Sequence, residues 1–540
     1  MSAPARIGEV VAIALVVGAA LAGCAVGPDF RAPPPPRATA YTEHPLATTT
    51  APTGAGGAGV QRLQLGRDLP GEWWHLFGSP TLDQLIREAI DRHPTLIAQQ
   101  AALREARDNL RAGAAAFAPA LTGTLGGERE RVSGASIAPG FPGFITNVFQ
   151  ATVGVSYTFD VFGGQRRELE RLRAQVEEQR FLLEGSYLTL TANVASTAVQ
   201  LASVNAQIDA TRRIVALEGA QLARIRRQYA IGIRTEADVL QQRANLASVR
   251  ANLPALLQQR AAAQHALAAL TGRLPQAAPP VEIRLQDLVL PADVPVSVPS
   301  ALTAQRPDIR AQQALMHQAS AAVGVATANL LPSLTLNGEF GGQSLQSSTL
   351  FGPTAGVWNV MGGLTTPLFE GGRLRAQRRA AIDAYQQAAA LYRATVLNAF
   401  QNVADSLTAL GHDAEAVQAQ HDALAAARAS LALIKRQYDT GAVNYVTLLS
   451  AQRAYQRARI AEIQAVAARY TDTIALFQSL GGGWWNRQDA GSGSGARTHV
   501  AGGEIDDRVA CSRRTPRREG FSPMATKSMP VVPVIEGHPL

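Results

Sequence analysis

Two stretches of this chain carry apolar and alanine positions at helical spacing for far longer than an ordinary domain helix. Neither Gln165 to about Ala230 nor Arg373 to about Asp439 contains a proline. At 1.5 Å per residue, each predicts roughly 100 Å of helix, and patterns of that length imply coiled-coil packing. Each ends at a glycine turn, Gly232 or Gly441, followed by a returning helical stretch. Before each long helix the period changes to two. In Gln150–Val161 the positions Val153, Val155, Tyr157, Phe159 and Val161 alternate with Thr152, Gly154, Ser156, Thr158 and Asp160. Leu334, Leu336 and Phe340 alternate with Thr335, Asn337 and Glu339, and less regular partner strands are expected at Leu121–Arg131 and Gly356–Leu368. About ten alternating residues are enough for a tilted membrane strand with one face to lipid and the other to a lumen.

The same order of elements occurs twice because the chain is internally duplicated. His93-Pro94 and Ala98-Gln99-Gln100-Ala101 return as Arg306-Pro307 and Ala311-Gln312-Gln313-Ala314, at a constant offset of 213 residues. Arg227-Gln228-Tyr229 with Gly232 returns as Arg436-Gln437-Tyr438 with Gly441, at an offset of 209. The expected division is therefore a first repeat over 81–297 and a second over 298–485. Two strand pairs per chain cannot close a barrel, since open edges in lipid leave backbone groups unpaired at several kcal/mol each. The smallest ordinary barrels have about eight strands, so copies of the chain must pool theirs.

The amino terminus reads as an address. Arg6, an apolar run from Val10 to Leu21 and the ending Leu21-Ala22-Gly23-Cys24 make a secretory signal over 1–23, too short to span a bilayer. The ending resembles a bacterial lipobox, which implies lipidation of Cys24, and Ala25 after it implies release to the outer membrane. Residues 24–80, with Pro33 to Pro36 and Gly54 to Gly59, read as an extended tether. Residues 486–540, rich in Gly, Ser, Pro and Arg, read as a disordered tail in which Cys511 needs no role.

Composition narrows the function further. Hydrophobic residues are 46%, charged residues 17% and aromatics 6%, which suits closely packed helices better than an aromatic core. The net charge is +8, but the arginines are interleaved with acids, as in Arg166-Arg167-Glu168, and no aromatic-interleaved basic patch suggests nucleic acid. His93, His265, His317, His412 and His421 stand alone, with no H-E-x-x-H pair and no nucleophile elbow. No enzyme, no metal and no cofactor beyond a covalent lipid on Cys24 are expected.

An ordered set of short stretches resembles the TolC/OprM-type outer-membrane efflux proteins, and among them the NodT-like lipoproteins. These are Cys24-Ala25-Val26-Gly27-Pro28-Asp29-Phe30, Trp73-Trp74-His75-Leu76-Phe77, Leu82 to Ile86, Asp160 to Gly164, Pro367 to Arg373, Gly441 to Arg453 and Leu480 to Trp484. The resemblance implies a mainly α protomer with a membrane β-barrel. Three copies would give a twelve-stranded barrel in the outer membrane and an α-helical tunnel in the periplasm. It also implies a periplasmic adaptor and an inner-membrane proton-driven pump as partners. A lipid-anchored adaptor of the same systems is the alternative, but it would show one hairpin between β-rich domains.

The resemblance assigns the periplasmic entrance to the two glycine turns. Tyr229, Gly232 and Asp238 belong to one and Tyr438 and Gly441 to the other, with the tyrosines and the acid helping to hold the closed state. Relatives often carry aspartate rings where this chain has Thr447 and Ser450, which puts family-style cation block in doubt. Gly163, Gly164, Gly371 and Gly372 fall where strand gives way to helix, and no phosphate-loop pattern accompanies them.

Overall fold

The computed structural model describes residues 25–50, 59–136, 139–140, 142–277 and 281–487. The expected signal over 1–23, Cys24 and the tail beyond Arg487 lie outside the described residues. In chain order the elements are β1 (Arg62–Leu65), α1 (Pro80–Arg92), α2 (Pro94–Ala114), β2 (Ala120–Val132), β3 (Phe144–Phe159), α3 (Gly164–Ala230) and α4 (Glu236–Leu270). The second copy follows as β4 (Asp293–Val296), α5 (Pro299–Gln305), α6 (Pro307–Ala328), β5 (Ser333–Ser344), β6 (Gly356–Thr365), α7 (Arg373–Asp439) and α8 (Tyr445–Ser479). The duplication is metrical: α3 and α7 each have 67 residues, and α4 and α8 each have 35. The repeated X-Pro dipeptides start α2 and α6, with the proline in the first turn, where its missing N–H costs nothing.

The long helices pack through small residues. Ala195, Ala198 and Ala202 of α3 are fully buried at helical spacing, which lets neighbouring backbones approach closely. α3 runs along α2, α4, α6 and α8, and α7 along α6 and α8. At mid-height the bundle is girdled by a denser core. Trp73, Trp74 and Phe77, on a short 3-10 turn, are buried with Leu82 and Ile86 of α1 against Tyr470 and Phe477 of α8. β1 pairs in parallel with β4 there, tying the amino-terminal segment to the junction between the copies. The described part of 24–80 is thus held against the helices rather than loose, and from Gln61 onward it enters the core. The reason is hydrophobic: the two tryptophans and Phe77 follow the proline- and glycine-rich stretch and need a core.

The remaining strands form one antiparallel sheet in the order β2-β3-β5-β6. β3 starts at Phe144 rather than Gln150, and β6 stops at Thr365, short of Pro367, which cannot donate to a ladder. The register sorts the side chains by chemistry. One face has the rows Leu121–Val155–Gly338–Val360, Gly123–Val153–Phe340–Trp358 and, over the last three strands, Phe159–Leu334–Leu364. The other has Thr122–Gly154–Glu339–Asn359 and Ala120–Ser156–Asn337–Met361. Polar groups pair across that second face: Ser156 Oγ donates to Asn337 Oδ1 at 2.8 Å and Asn359 Nδ2 to Glu339 Oε2 at 3.0 Å. The apolar face is bare, with Leu125 79%, Trp358 76% and Leu121 72% exposed. The outer edges of β2 and β6 have no strand beside them among the described residues. No helix among the described residues is long and apolar enough to cross a membrane.

Candidate functional site

The ends of the long helices far from the sheet are built twice from one design. At the end of α3 the Gly232 amide donates to the Tyr229 carbonyl (2.9 Å) and the Ile233 amide to Gln228 (2.8 Å). At the end of α7 the Gly441 amide donates to Tyr438 (3.1 Å) and the Ala442 amide to Gln437 (2.8 Å). This paired ending requires a left-handed residue, and Gly232 and Gly441 have φ of 76° and 80°. Three residues later each returning helix is capped. Thr235 and Asp238 form a reciprocal capping box in which Asp238 accepts from the Thr235 amide at 3.1 Å. Asn444 Oδ1 accepts from the Thr447 amide at 2.9 Å. Asp238 and Thr447 therefore occupy equivalent places, and both serve a cap, while Ser450 is exposed one turn further on.

The equivalent tyrosines diverge. Tyr438 is buried with Ile225 of α3 and with Tyr445, Leu448 and Leu449 of α8, so the second tip packs against the first. The Arg234 guanidinium lies 4.7 Å from the centre of its ring, within cation–π range. Burial pushes the Tyr438 and Tyr445 hydroxyls above the usual phenol range, and neither hydroxyl has a partner among the described residues. Tyr229 is 46% exposed, beside Ile231 at 70% and Ile233 at 64%. One protomer therefore closes the tyrosine contact of its second turn and leaves that of its first turn open.

Sequence reasoning missed a polar link a few turns behind the tips. Glu218 of α3, only 3% exposed, accepts from Gln242 Nε2 at 2.7 Å and Asn245 Nδ2 at 3.0 Å, both on α4. Asn245 Oδ1 in turn accepts from Arg453 Nε of α8 at 3.0 Å, joining the two copies. A buried carboxylate is tolerable only when its lone pairs are occupied, and here a chain of side-chain amides does so. Arg453 ends a stretch that resembles the efflux proteins, but nothing in one sequence pairs it with a residue more than two hundred positions away. Arg224 and Asp439 approach to 3.9 Å nearer the rim, half exposed and worth little.

At the opposite end of the helices, Gly163 and Gly372 are the left-handed residues immediately before α3 and α7, and Gly371 is left-handed too. Gly164 opens α3, whose amides of Gln165 and Arg166 donate to the Asp160 carboxylate at 2.8 and 3.0 Å. The two junctions line a groove of about 730 Å³ between Thr158, Ser333 and Thr365 on the polar face and Glu168, Arg373 and Gln377 on the helices. No cluster of metal-ligating side chains exists among the described residues.

Comparison with known proteins places this geometry. The family described as outer membrane efflux protein matches residues 85–273 and 298–482, once per copy. The pyoverdine export outer membrane protein OpmQ of Pseudomonas aeruginosa is 32% identical over 424 residues, covering 76% of this chain and 87% of its own length. The toluene efflux pump outer membrane protein TtgF of Pseudomonas putida is 29% identical over 479 residues, covering 88% and 97%. Among solved structures, the outer-membrane channel OprN superposes with a TM-score of 0.76 at 26% identity, over 85% of this chain and all of its own. VceC of Vibrio cholerae gives 0.72 at 25%, over 77% of this chain and all of its own.

Proposed function

The chain belongs to the outer membrane efflux protein family, and from that premise we propose that three copies of it close into one passive duct. It is an outer-membrane efflux channel protein; the finer reading concerns how it is assembled and what it meets. One observation carries it. The four-stranded sheet is apolar on one face, polar on the other and unpaired at both edges, and it stands on helices roughly 100 Å long. Such a sheet is unstable alone in lipid, because each unpaired edge group costs several kcal/mol. Edge-to-edge union of three copies removes all six edges, with β6 of one protomer against β2 of the next, and surrounds a polar lumen.

In that assembly the tips are the periplasmic entrance. Tyr438, Ile225 and the Arg453–Asn245–Glu218 link hold the two hairpins of one protomer together. The open Tyr229 turn faces the hairpin of the next protomer. The exposed Ile231, Ile233 and Val446 are available to a periplasmic adaptor, which couples the duct to a proton-driven inner-membrane pump. Cys24 carries the lipid. The chain has no catalytic work in this reading: the pump does the energetic work. Relatives named for pyoverdine export and for toluene efflux support a duct that accepts what its pump delivers.

The test is direct. Full-length protein extracted from outer membranes should migrate as a heat-modifiable trimer, conduct in planar lipid, and restore export in a channel-deleted strain only when adaptor and pump are present. A stable monomer without conductance would overturn the proposal.

A further inference from the structure

The segment after Cys24 resembles the efflux lipoproteins, yet neither the barrel nor the helical tunnel of the proposed duct requires it. In the structure it is held by side chains. The Arg167 guanidinium of α3, 7% exposed, donates to the Val26 carbonyl at 3.1 Å, the Gly27 carbonyl at 3.4 Å and the Asp29 carboxylate at 2.7 Å. It also binds Glu170 Oε2 at 2.8 Å, whose other oxygen lies 2.8 Å from His317 Nε2 of α6. The His317 ring stacks on Phe30, with centroids 4.3 Å apart and planes 13° from parallel. The Val26 amide donates to the Phe162 carbonyl at 3.0 Å, inside the strand-to-helix junction.

The fit depends on bare backbone. A Cβ on Gly27 would collide with the Cα of Gly324, and one on Gly324 would meet the Arg167 side chain at 2.7 Å. A Cβ on Gly163 would lie 2.5 Å from the Cα of Ala25. The strap then continues past the helices, its Pro33, Pro34 and Pro36 forming one wall of a groove whose other wall is Met316, Tyr385 and Tyr392. It is fastened again at mid-height, where Tyr41 Oη donates to the Ser297 carbonyl at 3.0 Å and Arg469 holds Thr49 and Gln61 at 2.8 and 3.1 Å. Both ends of the strap are therefore fixed to the protomer. The second junction has no such cover among the described residues: Leu368 and Phe369 are 91% and 89% exposed, and a Cβ on Gly371 or Gly372 would meet nothing there.

We infer that Arg167, Glu170, His317 and Gly324 form a built seat for Val26–Phe30 that delivers the acylated amino terminus to the base of the barrel. The inference rests on the reading of residue 24 as lipidated. Ala25 lies on Gly163, so the described chain reaches the seat at the strand-to-helix junction, and the lipid is proposed to start from there. That is the level at which the apolar row of Phe159, Leu334 and Leu364 ends. The chains then enter the periplasmic leaflet beside the sheet instead of at the end of a free tether, and the anchor's depth is set by the fold. Arg167, Glu170 and His317 act as positioning residues.

The experiment uses full-length acylated protein carrying Cys511→Ser and a nitroxide on Pro28→Cys, reconstituted in phosphatidylethanolamine and phosphatidylglycerol vesicles. The expected spectrum is a single immobile component, with oxygen and nickel-chelate accessibilities typical of the headgroup level. Arg167→Ala should convert at least half of the signal to a mobile component while the heat-modifiable trimer persists. A mobile label in the parent, or an unchanged spectrum in both Arg167→Ala and Phe30→Ala, overturns the seat. Where Arg167→Ala yields no trimer, Phe30→Ala, which alters only the strap, decides by the same criterion. Palmitate incorporation is scored separately. Its absence from the parent overturns the delivery role and the acylation reading together, whereas an acylated protein with a mobile strap overturns the seat alone.

Discussion

The assignment of the two sheet faces can be tested at adjacent residues of β6. Val360 sits in the apolar row with Leu121, Val155 and Gly338, and is 69% exposed in the single protomer. Its neighbour Asn359 points to the opposite face and donates to Glu339 at 3.0 Å. If the apolar face meets lipid, Val360→Arg places a guanidinium at mid-strand in hydrocarbon, a cost of about 2–4 kcal/mol in each protomer. Three copies bring the loss to about 6–12 kcal/mol if the sites are independent, enough to suppress the folded trimer by more than about four orders of magnitude at 1.4 kcal/mol per tenfold. Asn359→Arg faces the lumen beside Glu339, keeps a donor for that carboxylate, and should stay within about 0.5 kcal/mol of the parent, as most exposed substitutions do. The assay is the urea midpoint of heat-modifiable trimer folded into lipid vesicles, with outer-membrane yield as a second readout. A sheet bathed in water on both faces would tolerate Val360→Arg as easily as Asn359→Arg. Equal midpoints for the two variants, or greater damage from Asn359→Arg, would refute the assignment.

Three further outcomes are expected. Arg453→Ala removes a charge-assisted hydrogen bond of about 1.5–3 kcal/mol and leaves Asn245 Oδ1 unpaired; single-channel recordings should show larger or longer openings, and unchanged conductance would count against a restraining role for the link. Asp413 of α7 faces Asp472 of α8, and burial first, then this second carboxyl, raises its pKa to about 7. The folded protein thus keeps a proton that the unfolded chain loses near 3.8, so the stabilisation is complete below that pH and is lost as pH rises through about 7; unfolding midpoints should fall between pH 5 and 8 in the parent and change less in Asp413→Asn. If Thr447 and Ser450 stand at the proposed entrance in place of acids, multivalent cations should block conductance weakly, and strong block would show that other carboxylates line the constriction.

How much of this was legible follows from the range of the interactions. The long helices were readable because α3 and α7 lack proline and carry alanines at helical spacing, and the repeat offset of 209 returns in both the glycine turns and the caps. β3 was readable over its cleanest alternation but not at its start, because Phe144, Ile145, Val148 and Phe149 place apolar residues on both faces. β2 was blurred by glycine: Gly123 and Gly127 stand on the apolar face, and the Phe149 ring covers Gly127 from the next strand. The contacts that were not readable are the long-range polar ones. Arg167 with Asp29, Arg453 with Asn245 and Arg469 with Gln61 join residues 138, 208 and 408 positions apart. Helical periodicity shows which face of a helix is buried, but not which residue it meets there.

The differences between the two copies have one physical source. Had the copies stayed identical, a ring of three protomers would present six equivalent hairpins, and every interface would need the same residues. Instead the interface inside a protomer is already closed by Tyr438, Ile225 and the Arg453–Asn245 pair, while the equivalent surface around Tyr229, Ile231 and Ile233 is bare. The same asymmetry recurs at the other end, where the first junction is covered by Val26–Phe30 and the second exposes Leu368 and Phe369. In the proposed trimer two kinds of interface therefore alternate around the ring: one made within each chain, and one made only on assembly. Interfaces of unequal make-up need not loosen together, so an adaptor that touches the exposed first turn can act on the assembly contacts while the link inside each protomer stays intact. That is why Arg453→Ala and a substitution at Tyr229 should differ in effect. The first loosens each protomer whether or not an adaptor is present, whereas Tyr229→Ala should weaken the trimer contact and change conductance most when the adaptor is bound. Identical recordings for the two variants, with and without adaptor, would mean that the two interfaces are energetically one.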